Sequence, residues 1–457
     1  MFSFCVGLFV ARYVTPEEFG LLVAAYSMAQ VVRVPFSIGI YNKLAGAKCL
    51  TYSLLGAGFC ISVLQFLGAL LLALVLFPWY ARVFGVSFAH FVVIFSILNL
   101  AISLKDVLVA KMFFDRKYKK YFLVEVIGAV VSACVVISSV MLHMNYTAIT
   151  LQFYAHAIIF AVLGMIILRP WRSLGHKMDY KILAKNIKSY IVLSITNNCL
   201  RDVDKLVLGS TASPALVGIY SRATRFSKIF GVLIPVGVVR SILPAFKKTI
   251  DSGNDLTEVY MNYLRNFLYI LVPVALLVGF QAENILRFLY GNQWISAAPI
   301  LSVLMFNVVL MPVRGLTEQV SYAHARPKPL AKLSVVSILI YAIAMYFFIE
   351  RFGIMGAAVS LVVHTGITFS GAIYLATKYI RLSLCVNYCC KVLGGCIFVY
   401  VVLTLTTGMM VQKSLAVSLL FKSTLVLISY FTVMFALDQR FRHLVVSIIR
   451  QKNALSF

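Results

Sequence analysis

Along most of this chain apolar residues run for about twenty positions at a stretch, broken by short polar clusters containing Pro, Gly, Asn and basic side chains. A hydrocarbon core of ~30 Å takes ~20 helical residues to cross, so each run has the length of one span. The pattern predicts about fourteen helices, over 1–12, 21–41, 51–78, 89–111, 121–142, 147–168, 188–209, 217–244, 260–281, 297–319, 330–349, 354–377, 385–409 and 415–437. A transmembrane barrel would alternate apolar and polar residues in ~10-residue segments, and no such segments occur. The expected class is an all-α polytopic membrane protein. Only ten mostly apolar residues precede Ala11, about half a span, so the native chain is expected to begin upstream or this one to start at an internal Met.

Composition agrees. The 457 residues are 61% hydrophobic and 12% charged, with a mean hydropathy of +0.94, whereas a soluble domain carries about 25% charged residues. The formal net charge is +26. Of the basic residues, 23 fall in alternate loops, including Arg116 to Lys120, Arg169 to Lys185 and the C-terminal tail. The opposite side has 5: Arg12, Arg82, Arg287, Arg351 and Lys413. Cytoplasmic loops retain positive charge, so both termini are expected in the cytoplasm, and no nucleic-acid partner is implied. The nine cysteines form no CxxC pair and lie mostly in apolar runs, which reads as small buried residues rather than a metal or disulfide site. No GxxxxGK[ST] motif occurs, so no ATP-hydrolysing machinery and no cofactor are expected.

Two stretches repeat: "TPEEFGL" (Thr15 to Leu21) and "SPALVGI" (Ser213 to Ile219) both read [ST]-P-x-x-[FV]-G-[LI], 198 residues apart. Pro16 and Gly20 shape one outside turn, Pro214 and Gly218 the other. Each turn leads into a long helix containing basic residues and a proline, Pro35 or Pro235. Pro-Gly turns occur wherever helices reverse, and that plain reading stands beside an internal duplication. Six helices separate the copies, so two duplicated lobes would share one orientation and be related by a pseudo-two-fold along the membrane normal, as in secondary transporters with parallel repeats.

Charges within the predicted spans narrow the function, because a charge at the bilayer centre costs ~2.5–3.5 kcal/mol even on the gentlest scale. In the second helix Tyr26, Gln30, Arg33 and Ser37 share one face, with Arg33 roughly 19 Å from Gly20. The seventh gathers Asn197, Asn198, Arg201, Asp204 and Lys205, with Asp202 at the edge of the stripe. The eighth aligns Gly218, Ser221, Arg222, Arg225 and Lys228, the three cations descending to roughly 6, 10 and 15 Å. Arg33, Arg201, Arg222, Arg225 and Lys228 would face chiefly Asp202 and Asp204, an excess that an anionic ligand would complete, and guanidinium suits phosphate. Structural pairing or snorkelling of the long side chains is the alternative, above all for Arg222 and Lys228.

Other positions carry less. Arg314 and Glu318 read as an intrahelical pair, Lys105 and Asp106 as a helix end reaching headgroups, and Glu125 as a solvated helix end or a proton-binding group. His156 and His364 read as core histidines. Asn145-Tyr146-Thr147 spells a glycosylation sequon close to the membrane.

"ARYVTPEEFGLL" and "DVDKLVLGSTASPALVGIYSRATR" resemble the signatures of the polysaccharide flippases, the O-antigen (Wzx-type) translocases of the multidrug/oligosaccharidyl-lipid/polysaccharide transporter superfamily. The resemblance implies two six-helix lobes around a central cavity, here 1–168 and 188–377, a cytoplasmic linker at 169–187, and two accessory helices with a basic tail at 378–457. It implies export of an undecaprenyl-diphosphate-linked oligosaccharide from the cytoplasmic to the periplasmic leaflet of a bacterial inner membrane, by alternating access, with ion coupling proposed. Partners would be membrane lipids and the polysaccharide polymerase and chain-length machinery. Arg33, Arg222 and Arg225, with Arg201 and Lys228, would hold the diphosphate, and Asn197, Asn198, Tyr26 and Gln30 the sugar hydroxyls. Asp204, matching the signature's acidic position, Asp202 and Glu125 are the ion-coupling candidates. A multidrug antiporter or lipid II flippase of the same fold is the alternative, although exporters of cations should favour acidic linings. A polymerase or ligase would usually have a large external loop, and every outside loop here is short.

Overall fold

In the computed structural model of the chain, the residues described are 2–37, 40, 44, 51–115, 117–168, 204, 207–209, 212–324, 327–407 and 415–443. They contain helices and no strand. In chain order the helices are α1 (Phe2–Tyr13), α2 (Pro16–Arg33), α3 (Tyr52–Val75), α4 (Phe77–Phe84), α5 (Val86–Phe114), α6 (Tyr118–Met141), α7 (Asn145–Leu168), α8 (Pro214–Asp251), α9 (Leu256–Phe280), α10 (Ala282–Leu289), α11 (Ala298–Ala323), α12 (Pro327–Ala376), α13 (Leu382–Thr407) and α14 (Leu415–Leu437). Among the described residues, ten segments are long and apolar enough to cross a membrane. This is a multi-pass membrane protein.

Thirteen of the fourteen predicted helices have a counterpart, because α12 accounts for two of them. Its 50 residues would make a rod of about 75 Å at ~1.5 Å per residue, far more than one bilayer. The chain instead reverses at Gly353, where φ is 56° and ψ −143°. That reversal brings Gly356 against the Phe348 carbonyl. The remaining predicted helix, 188–209, lies mostly outside the described residues, as does the predicted linker 169–187.

Two short helices, α4 and α10, fall between the predicted spans. Each has eight residues, each follows a membrane helix (α3 or α9), and a glycine comes within two residues of each end, Gly85 and Gly291. Their sequences, FPWYARVF and AENILRFL, mix aromatic, apolar and charged residues in the manner of helices that lie at a membrane interface. They recur at matching places in the two halves of the chain, which adds to the duplication read from the turns.

The chain divides into two compact units, Met1–Ser221 and Arg222–Phe457. In the first, α3, α5, α6 and α7 bury a common cluster that includes Leu54, Leu55, Val107, Leu108, Val124 and Phe160. Their outer faces leave Leu64, Leu71, Phe122 and Ile127 exposed. Large exposed apolar side chains destabilise a soluble domain but are what a lipid-facing helix presents.

The turn that opens α2 is held by Thr15 and Glu18. The Thr15 hydroxyl accepts from the Glu18 amide at 3.2 Å, and the Glu18 carboxylate accepts from the Thr15 amide at 3.0 Å. This capping box satisfies two amides that a helix start leaves open, so Glu18 belongs to the turn and not to a site. In the second copy Leu216 takes the place of Glu18. There the Ser213 carbonyl accepts from the Leu216 and Val217 amides.

The two turn motifs meet within the first unit. A Cβ at Gly20 would collide with the Pro214 carbonyl, and one at Gly218 with the Pro16 carbonyl. The contact is reciprocal, each glycine facing the other motif's proline, so α2 and the start of α8 cross main chain to main chain. Small residues permit such an approach between membrane helices.

Candidate functional site

The polar residues of α2 point into a network inside the first unit. Tyr26 stacks on Phe153 with ring centroids 4.5 Å apart and meets Phe95 edge-on at 5.8 Å. One turn on, Gln30 donates to Asn99 Oδ1 at 2.9 Å and to the Tyr154 hydroxyl at 3.2 Å. Tyr154 is itself within 3.0 Å of Asn99 Oδ1. Arg33, a turn deeper, lies 3.6 Å from Asp106 on α5, with 19% of its side chain exposed. The expectation that Arg33 faces chiefly Asp202 and Asp204 is thereby corrected. Its counter-charge comes from α5, a helix that face analysis of α2 alone does not name.

Lys105, next to Asp106, is also engaged in the helix interior. Its Nζ lies 3.5 Å from Glu125 Oε2 on α6 and 3.2 Å from His156 Nδ1 on α7. His156 Nε2 is 3.4 Å from the Glu125 carbonyl and 3.5 Å from its Oε1. An ammonium only donates, so Nδ1 accepts and the imidazole proton sits on Nε2, facing Glu125. These three groups form a closed set from three helices. The reading of Lys105 and Asp106 as a helix end at headgroup level is corrected: α5 runs to Phe114, which places Lys105 about 13 Å from that end. Glu125 is likewise paired rather than simply solvated.

Asp204 is buried and accepts a hydrogen bond from Tyr220 at 3.3 Å. The acidic and tyrosine positions of "DVDKLVLGSTASPALVGIY" thus meet across the turn between them. Asn197, Asn198, Arg201 and Asp202 lie outside the described residues.

In the second unit the cations of α8 differ sharply in environment. Arg222 has 0% exposure. Its guanidinium lies 5.1 Å from the Trp294 ring centroid and 5.7 Å from that of Tyr290. Stacking of this kind stabilises a desolvated cation by about 2 kcal/mol. Arg225 is half-buried and Lys228 exposed. Trp294 and Tyr290 follow α10 in a segment without apolar periodicity, so helical spacing does not bring them to Arg222. Arg314 and Glu318 pair at 3.4 Å along α11, as their spacing predicts. His364 is buried against Tyr341, ring centroids 4.7 Å apart. Among the described residues, no group of three or more His, Cys, Asp or Glu could hold a metal ion.

Comparison with known proteins follows the same line. A family described as polysaccharide biosynthesis protein matches residues 9–299. A Haloferax volcanii protein named as a probable low-salt glycan biosynthesis flippase, Agl15, is 22% identical over 253 residues, covering 53% of this chain and 52% of its own. The Bacillus subtilis teichuronic acid biosynthesis protein TuaB is 20% identical over 190 residues, 42% of this chain and 39% of its own. The chain spans about half or less of the length of the curated relatives it matches. Among solved structures, the lipid II flippase MurJ in an inward closed conformation matches with a TM-score of 0.72 and 14% identity over 97% of this chain and 98% of that one. At that identity the likeness carries the fold alone, a two-lobe bundle of membrane helices.

Proposed function

Since this chain belongs to the polysaccharide biosynthesis protein family, we propose that it is a flippase moving an undecaprenyl-diphosphate-linked oligosaccharide from the cytoplasmic to the periplasmic leaflet of a bacterial inner membrane. The product would feed O-antigen or another exopolysaccharide, and the polymerase and chain-length machinery would receive it. The step is transport by alternating access, with no covalent chemistry. A relative named as a glycan biosynthesis flippase supports the substrate class. The observation that carries the reading is a set of cations on α2, a candidate membrane span, and on α8. Arg33, Arg225 and Lys228 keep accessible surface, and phosphate is the anion that guanidinium pairs with best. Arg222, buried beside Trp294 and Tyr290, acts here as a positioning residue that fixes the face on which Arg225 stands. Tyr26 and Gln30, with Asn197 and Asn198, are assigned to the sugar side, and Arg201 to the diphosphate beside Asp204.

Coupling is assigned to Glu125. With Lys105 and a neutral His156 against it, the set has a place for one further proton on His156. Taking it would turn Nδ1 from acceptor to donor and displace Lys105. Asp204 and Asp202 are the remaining acidic candidates.

The test is complementation of a strain lacking its own polysaccharide flippase. Wild type should restore surface polysaccharide, and Arg225→Ala should abolish display at unchanged protein level. Normal display by Arg225→Ala would remove the diphosphate assignment. Resistance to cationic drugs without restored display would instead identify a multidrug antiporter.

A further inference from the structure

At one end of the second unit, α9, α13 and the segment after α14 enclose a cavity of about 390 Å³. Glu258 and Arg265 come from α9, Tyr388 and Lys391 from α13, and Asp438 and Arg440 follow α14. Its charges separate into used and unused. Glu258 accepts from Arg440 Nη2 at 3.0 Å, and Arg440 Nη1 donates to Asn262 at 2.7 Å. Asp438 accepts from the Tyr269 hydroxyl and, at 3.0 Å, from the Arg440 amide. Asp255, at the rim, caps α9 through the Thr257 amide at 2.8 Å and lies 3.9 Å from Arg381. All three carboxylates therefore have partners.

Two cations do not. Arg265 lies with its guanidinium 5.4 Å from the Tyr388 ring centroid. Its Nε and Nη1 are buried with no hydrogen-bond partner among the described residues. Lys391 lines the same cavity and forms no ion pair among the described residues. Buried donors of a charged group left unmade cost free energy, so a site holding two of them beside a free ammonium is shaped for an anion. The charge-assisted donors of a guanidinium suit the oxygens of a phosphate. Met261 and Leu384 supply apolar wall beside the charges, and the cavity lies among the ends of α9, α13 and α14. Basic pockets between membrane helices bind acidic lipid heads.

We propose that this cavity binds the phosphate group of an anionic membrane lipid through Arg265 and Lys391. The site is separate from the cations of α2 and α8 and independent of the transport reading. Two lipids offer the chemistry, a bulk acidic phospholipid and a polyprenyl phosphate carrier.

The experiment uses the full chain, purified in detergent and stripped of lipid, with bound lipid counted by native mass spectrometry. Probes are phosphatidylglycerol, zwitterionic phosphatidylcholine, undecaprenyl phosphate and inorganic phosphate. Wild type should retain phosphatidylglycerol or undecaprenyl phosphate in preference to phosphatidylcholine, and whichever binds at the lower concentration identifies the source. Losing one charge-assisted contact should weaken that retention about tenfold in Arg265→Gln and in Lys391→Gln. Arg287→Gln, on α10 and outside the cavity, should bind as wild type does. Lys391 is exposed, so Lys391→Gln keeps the test valid if Arg265→Gln folds poorly, and melting temperatures are recorded for both. Inorganic phosphate at millimolar concentration should compete with the lipid. Equal retention of phosphatidylglycerol, undecaprenyl phosphate and phosphatidylcholine, retention of none of them, or undiminished retention in Lys391→Gln overturns the proposal.

Discussion

Arg33 shows how a membrane cation is made tolerable: Asp106 stands 3.6 Å away on α5, and both side chains keep some exposure, 19% and 41%. A pair so placed is worth about 1 kcal/mol. Arg33→Gln and Asp106→Asn should each lower the melting temperature of the purified protein, and the double variant should regain most of the loss. If the double variant also restores polysaccharide display, Arg33 serves the bundle and not the substrate. Arg222 answers to geometry rather than to charge alone. Arg222→Lys retains the cation but not the flat guanidinium between Trp294 and Tyr290, so a loss of about 1–2 kcal/mol is expected by thermal melting. At this scale the sequence was only partly legible. It placed Arg33 on the right face of α2 and Arg314 opposite Glu318, because those relations follow from helical spacing. It did not find the Lys105, Glu125 and His156 set, whose members are 20 and 51 residues from Lys105 on three helices. Periodicity fixes which face a residue occupies and says nothing of which face it meets.

Among elements, loops and crossings decide what the helices become. Gly20→Val and Gly218→Val would each force a side chain into a proline carbonyl of the facing motif. Both variants should lose folded protein in membrane fractions, whereas Gly279→Ala, in ordinary contact with Met305, should accumulate normally. The loop after α5 carries a milder, pH-dependent contribution. Burial pushes the Asp115 carboxyl up, but hydrogen bonds from Lys111 and Lys117, at 2.8 and 2.7 Å, outweigh it and hold the group below its ordinary value. A folded-state pKa lower than the unfolded one gives stability that is present above the carboxylate's ordinary range and lost as acid protonates the folded group. The melting temperature of wild type should therefore fall more than that of Asp115→Asn as the pH is brought down through that range. The turn motifs, the loop charges and thirteen helices were readable from apolar run length. The short helices α4 and α10 were not, because eight residues are too few to register as a run.

For the whole molecule, the family match and the fold both describe a bundle of membrane helices, and the proposed transport calls for a driving force. With Glu125 as the coupling group, Glu125→Gln should still bind lipid-linked oligosaccharide yet lose the dependence of its transport on a pH gradient across proteoliposomes. Gradient-stimulated transport equal to wild type would move the assignment to the Asp204 region. The duplication was legible in seven residues and gained support from α4 and α10, structural repeats whose sequences do not match. The crossing of Pro16 to Gly20 with Pro214 to Gly218 has a further bearing on how such a chain changes over time. The contact itself is made by proline carbonyls and glycine α-carbons, not by side chains. Side chains elsewhere are therefore free to be exchanged while the joint stays the same, and the two copies of the motif, each the mould of the other, are bound to change together or not at all.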